Sequence, residues 1–157
     1  MDLSSIKVIF TDVDGVLTDG NLLISNRGEY LKSFNTRDGL AMVRAAEQGY
    51  TVVWLTGRDD YASKVRAEEL GCIYMPTKGQ DKGELISEFL EKRGLEKENC
   101  LFIGDDVFDL PAREHVKYFF SPSDGHSRVK AESDFILKTR GGHGVFRELF
   151  DMMIDEK

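Results

Sequence analysis

The chain has 157 residues, of which 41% are hydrophobic and 31% charged with only three prolines, a balance that suits one folded domain around one core and excludes a disordered chain. Its formal net charge of −7 argues against nucleic acid or an anionic membrane surface as the main partner, because both reward clustered Lys and Arg, so an anionic substrate would need a local cation. The first apolar stretch, Val8 to Phe10, is too short for a signal core or a membrane span, and Cys72 and Cys100 show no ligand spacing, so two buried, reduced thiols in a cytoplasmic protein are expected.

Ile6 to Thr11 reads as a buried strand running into the acidic turn Asp12 to Gly15. Two β-prone runs, Leu22 to Ser25 and Tyr30 to Phe34, flank Asn26-Arg27-Gly28 and predict a β-hairpin, a flap within residues 18–35. Asp38 is expected to cap a helix reaching about Gln48, with Leu40, Val43 and Ala46 along one face and Gly49 as its stop. Tyr50 to Leu55 is the second buried strand, and Asp59 or Asp60 starts a helix that ends before Gly71. Cys72 to Met75 is a short third strand, followed by a helix from Lys82 to Arg93 that Gly94 stops. Leu101 to Ile103 enters Gly104-Asp105-Asp106, Tyr118 to Phe120 and Phe135 to Leu137 supply two more strands, and a final helix starts near Val145.

No fixed-period repeat is present. The alternation of strands and helices predicts an α/β fold, a Rossmann-like doubly wound parallel sheet with helices on both faces, as one domain over residues 1–157 with a hairpin flap and no separate cap domain. Ligands of such sheets collect at the carboxyl ends of the strands, where Asp12, Thr56 and Asp105 fall.

Two carboxylates two residues apart just past a buried strand, Asp12 and Asp14, can divide labour between nucleophile and acid–base group, although a solvated Asp-Gly turn competes when the pair is taken alone. An EF-hand loop would want Gly and Glu at its sixth and twelfth positions, where this chain has Leu17 and Leu23. Thr56 and Gly57 offer a hydroxyl and free N–H groups at a helix start, able to hold a phosphoryl oxygen. Lys82 can neutralise charge on a transferring phosphoryl group, with a solvated surface lysine as the competing reading. Arg58 is a candidate for pairing a substrate carboxylate, or is a surface arginine. Asp105, Asp106 and Asp109 crowd one strand end, where repulsion calls for a cation.

In this order the chain resembles the haloacid dehalogenase superfamily, through Asp12-Val13-Asp14-Gly15-Val16-Leu17-Thr18-Asp19-Gly20, Leu55-Thr56-Gly57-Arg58, Asp81-Lys82 and Ile103-Gly104-Asp105-Asp106. Gly28-Glu29, Phe34-Asn35, Arg37-Asp38-Gly39-Leu40, Asp106 to Pro111 and Gly141-Gly142-His143-Gly144 narrow it to the capless sugar-acid phosphatase branch. The resemblance implies Asp12 as nucleophile forming an aspartyl-phosphate, Asp14 as acid–base group, and Thr56, Gly57, Arg58 and Lys82 on the substrate. It implies magnesium held by the Asp12 carboxylate, the Asp14 backbone carbonyl and the Asp105 carboxylate, with Asp106 and Asp109 behind them.

The implied substrate is 3-deoxy-D-manno-octulosonate 8-phosphate, with a role in lipopolysaccharide biosynthesis. Phe108, where that pattern expects a polar residue, and the bulky Tyr118 to Pro122 keep nonulosonate 9-phosphates open; a phosphomutase or a different sugar phosphatase is a further alternative. The short span from Asp14 to Thr56 leaves no room for a cap, so the resemblance further implies a homotetramer whose apolar flaps, with Leu22, Leu23, Ile24 and Tyr30, cover neighbouring sites. A non-catalytic phospho-receiver shares the acid pair, Thr and Lys, but places its acceptor Asp after the third strand, and Cys72 to Met75 is followed by no Asp before Asp81. The sequence assigns no role to Arg66, His126 or His143, although His126 matches a His common in the family.

Overall fold

Short runs of apolar and β-branched residues bounded by turn residues become strands, and the computed structural model, described over residues 1–155, aligns six of them in one parallel sheet. These are β1 (Val8–Thr11), β4 (Thr51–Thr56), β5 (Ile73–Pro76), β6 (Cys100–Ile103), β7 (Tyr118–Ser121) and β8 (Phe135–Ile136), in the spatial order β5-β4-β1-β6-β7-β8. Between β1 and β4 lies a separate two-stranded hairpin, β2 (Leu23–Ile24) and β3 (Tyr30–Leu31), with Leu23 opposite Leu31 and Ile24 opposite Tyr30.

Side chains alternate across β1, so Ile9 enters one core layer while Val8 and Phe10 enter the other. The first layer is closed by α1 (Thr36–Glu47), α2 (Tyr61–Glu69) and α5 (Val145–Asp155), which bring Ala41, Met42, Ala67, Phe146 and Leu149 to it. The second is closed by α3 (Lys82–Glu91), a 3₁₀ segment over Val107–His115 and α4 (Ser127–Glu132), through Ile86, Phe89, Ala112 and Val129. Helices therefore cover both faces, as the alternation predicts. Cys72 and Cys100 are free and buried, and burial pushes both thiols up to about 12.

Several local expectations differ from the structure. The cap of α1 is Asn35, whose Oδ1 accepts from the Arg37 N–H at 2.9 Å, while Asp38 sits inside the first turn, buried, and accepts from the Arg147 N–H at 2.8 Å. Asp38 thus serves the start of α5 rather than its own helix. The buried face of α1 carries Ala41, Met42 and Ala45, whereas Leu40 and Val43 are exposed. The hairpin strands are two residues each, and Phe34, expected as part of the second, instead packs at a tilt against Trp54 with ring centroids 5.5 Å apart. The helix start expected after Gly104-Asp105-Asp106 is a 3₁₀ segment that contains Pro111 and is capped by Asp106, and the six-residue α4 has no sequence expectation behind it.

Candidate active site

Chain order after β1 sends β4 and β5 to one side and β6, β7 and β8 to the other, so a crevice opens where the carboxyl ends of β1 and β6 part. Asp12 directly follows β1, and its N–H donates to the Ile103 carbonyl at 2.9 Å; Asp105 follows β6 across the crevice. Carboxylate oxygens of Asp12, Asp105 and Asp109 lie within 4.8 Å of one another. A cleft of about 520 Å³ opens beside them, lined by Asp12 and Asp109 together with Asp14, Thr56, Arg58, Lys82 and Phe108.

Lys82 begins α3, whose N-cap Asp81 accepts from the Gly83 N–H at 2.8 Å and so fixes where the lysine departs. Its ammonium is buried between Asp12 Oδ1 at 2.6 Å and Asp109 Oδ1 at 2.5 Å. Burial alone would push the ammonium down, but the Asp12 and Asp109 carboxylates outweigh it and hold Lys82 above the ordinary range. Asp109 also accepts through Oδ2 from the Asp105 and Asp106 N–H groups at 2.8 and 3.1 Å, so it touches Lys82 directly and shapes the acid turn as well. Asp106 is exposed and caps the 3₁₀ segment through Val107.

One cation does not balance this cluster. Burial, with Asp109 adding to it and Lys82 opposing, raises Asp12 to about 7; burial, then the neighbouring Asp12, Asp109 and Asp106, raises Asp105 to about 8. Oδ1 of Asp105 is buried with no hydrogen-bond partner. Gly15, at φ 97°, passes so close that a Cβ there would collide with the Asp105 carboxylate. Hard oxygen donors, an unpartnered buried carboxylate oxygen and two raised acids are the donor set of a divalent cation.

Thr56 ends β4, buried, and its Oγ1 accepts from the Arg58 N–H at 3.3 Å, which shapes the turn at Gly57. Arg58 is half exposed, with Nε 3.6 Å from Asp14 Oδ2 and its guanidinium 5.9 Å from the centre of the Tyr30 ring. The Asp14 side chain does not join the carboxylate cluster. It meets Lys32, whose Nζ lies 2.7 Å from Asp14 Oδ1 and 3.0 Å from Oδ2, and 2.7 Å from Asp60 Oδ2. Burial would raise Asp60, but Lys32 and Ser63 outweigh it and hold that carboxyl below its usual range.

Sequence reasoning missed Lys32, because its partners are distant in the chain and a lysine just past a hairpin strand carries no signal. His126 caps α4, its Nδ1 accepting from the Arg128 N–H at 3.2 Å. His143 Nδ1 lies 2.7 Å from the Gly141 carbonyl, to which it must donate, in a second cavity that shares no residue with the acid cleft. Arg66 pairs with Glu69 at 2.7 Å and lies against Gly39, where a Cβ would meet its guanidinium.

A profile of the family described as haloacid dehalogenase-like hydrolase matches residues 60–149. The 3-deoxy-D-manno-octulosonate 8-phosphate phosphatase of Haemophilus influenzae is 38% identical over 152 residues, spanning 97% of this chain and 84% of that protein. The crystal structure of the Moraxella catarrhalis phosphatase of the same name, in complex with magnesium ion, phosphate ion and KDO, superposes with a TM-score of 0.94 at 31% identity, covering 99% of this chain and 89% of that one. A cobalt-bound structure of the Haemophilus influenzae protein gives a TM-score of 0.91 at 38% identity, covering 98% of this chain and 90% of that one.

Proposed function

The chain belongs to the haloacid dehalogenase-like hydrolases, and on that footing we propose that it is a magnesium-dependent phosphatase that hydrolyses 3-deoxy-D-manno-octulosonate 8-phosphate through a phosphoryl group carried on Asp12. The observation that carries the chemistry is the buried Asp12 carboxylate at the crevice, 2.6 Å from Lys82 and within 4.8 Å of the Asp105 and Asp109 oxygens. The substrate rests on the names of relatives that match along almost the whole chain.

The Asp12 and Asp105 carboxylates, with the Asp14 backbone carbonyl, would hold the magnesium, and Asp109 and Asp106 set the turn that presents Asp105. Bound there, the ion neutralises the acids and polarises the phosphoryl oxygens. An Asp12 carboxylate oxygen attacks phosphorus while the bond to the sugar oxygen breaks, and Asp14 gives that oxygen a proton. Asp14 then takes a proton from water as the water attacks phosphorus, releasing inorganic phosphate and restoring the Asp12 carboxylate. The Thr56 hydroxyl and the Gly57 N–H bind phosphoryl oxygens, Lys82 neutralises their charge, and the Arg58 side chain meets the sugar carboxylate at the cleft mouth.

The flap supports assembly as a homotetramer in which each hairpin covers a neighbour's site. Leu22, Leu23, Ile24, Tyr30 and Leu31 are exposed within one chain, as are Leu40 and Val43 of α1, and these apolar side chains are what a neighbouring chain would cover. Buried reduced thiols suit a cytoplasmic place in lipopolysaccharide biosynthesis. Among the described residues no helix is long and apolar enough to cross a membrane.

The test is phosphate release, with and without magnesium, from the eight-carbon 8-phosphate, nine-carbon nonulosonate 9-phosphates and hexose phosphates. Selective release from the eight-carbon ester is expected. Preference for a nine-carbon ester would move the substrate and keep the chemistry, and release from none would overturn the reading.

A further inference from the structure

The hairpin is exposed along both strands, yet the residue that follows β3 turns inward: the side chain of Lys32 has no exposed surface. Its ammonium has three protons and three acceptors, Asp14, Asp60 Oδ2 at 2.7 Å and Ser63 Oγ at 3.2 Å, so its hydrogen-bonding capacity is filled. The receptor is built on a fixed element. Asp60 caps α2 by accepting from the Ser63 N–H at 2.9 Å, and its own N–H donates to the Tyr74 hydroxyl at 2.9 Å.

We propose that Lys32 is the positioning residue for Asp14, holding its carboxylate in the rotamer that serves first the leaving oxygen and then the attacking water. The inference rests on the acid–base role given to Asp14 above. The terminal torsion of an aspartate is broad, so a carboxylate that must serve two oxygens in turn gains from a fixed partner. Arg58, half exposed and 3.6 Å away, holds Asp14 less closely than Lys32 at 2.7 Å. Asp60 alone would suffice to tether the hairpin; contact with both oxygens of Asp14 as well ties the acid–base group to the seat of the flap. A flap that lifts withdraws the ammonium from Asp14.

The experiment compares wild type, Lys32→Met, Lys32→Arg, Asp14→Asn and the Lys32→Met/Asp14→Asn double variant, all magnesium-loaded. Each is assayed on the sugar-acid 8-phosphate and on p-nitrophenyl phosphate, whose phenolate leaves without a proton. Lys32→Met is expected to lower kcat on the sugar ester by about 10–100-fold with KM changed less than about threefold, and to cost less on the phenyl ester. Lys32→Arg should recover most of the loss, and in the Asp14→Asn background Lys32→Met should cost less than about twofold more. Losses that multiply in the double variant, or a raised KM with kcat intact, would overturn the proposal. If Asp14→Asn itself keeps wild-type kcat on the sugar ester, the acid–base role falls and this inference with it; if Asp14→Asn is impaired and Lys32→Met is not, this inference alone falls.

Discussion

Lys82 Nζ lies 2.6 Å from Asp12 Oδ1, and the contact joins the start of α3 to the end of β1 across 70 residues of chain. A buried ammonium between two buried carboxylates is held there by mutual need, since each charge alone would be costly to bury. On the proposed mechanism, replacing Lys82 with Met removes the cation that would face the transferring phosphoryl group. Turnover is expected to fall by roughly 10²–10³ with the fold retained, measured as kcat of magnesium-loaded protein alongside circular dichroism.

Proton and metal compete for the same oxygens. With no cation bound, Asp12 and Asp105 stand at about 7 and about 8 against an ordinary 3.8, so the folded chain holds their protons more tightly than the unfolded one. The stability this lends is full below the ordinary value and is lost as pH rises through 7 and 8. Magnesium binds the ionised forms, so the rise in thermal midpoint on adding it should grow from pH 6 to pH 8. Scanning fluorimetry with and without the ion reads this; a rise independent of pH would separate these acids from the metal.

Asp38 is the other raised carboxyl, about 6 against 3.8, because burial outweighs the Arg147, Phe146 and Gly144 amides that favour its charge. Its protonated form stabilises the fold below the ordinary value, and that contribution, about 2–3 kcal/mol, is lost as pH rises through 6. Asp38→Asn keeps an acceptor for Arg147 and removes the titration. Wild type minus variant stability, from denaturant unfolding at pH 4 and pH 7, should therefore drop by about that amount.

Neighbouring residues of a strand point to opposite faces, yet Leu23 and Ile24 are 59% and 60% exposed, so neither face of the hairpin is packed within one chain. If the hairpins join chains as proposed, Leu23→Asp with Ile24→Asp is expected to shift the protein from a larger assembly to smaller species, read by sedimentation velocity, with the thermal midpoint of the separated chain little changed. An unchanged sedimentation coefficient would remove the flap from the interface.

The acid site was legible because buried strands announce themselves as short apolar runs, and the polar residues that stop them, Asp12, Thr56 and Asp105, stand where the sheet delivers ligands. Asp38 misled because an acid near a helix start looks the same whether it caps that helix or reaches another; only the packing of α1 against α5 shows that it serves Arg147. Leu40 and Val43 misled for a related reason: three-residue spacing marks an apolar face without saying whether the core or a neighbour covers it. Lys32 was illegible because a contact closed by a hairpin fold-back leaves no periodicity in the chain.

The most direct measurement is rapid acid quench during turnover of the sugar-acid phosphate with magnesium, followed by mass analysis of the peptide that contains Asp12. A phosphoryl group on Asp12 in the wild type, absent without the ion and absent in an inactive Asp12→Asn variant, is the expected result. Phosphate release that persists in Asp12→Asn, with no adduct on the peptide, would contradict a nucleophilic Asp12.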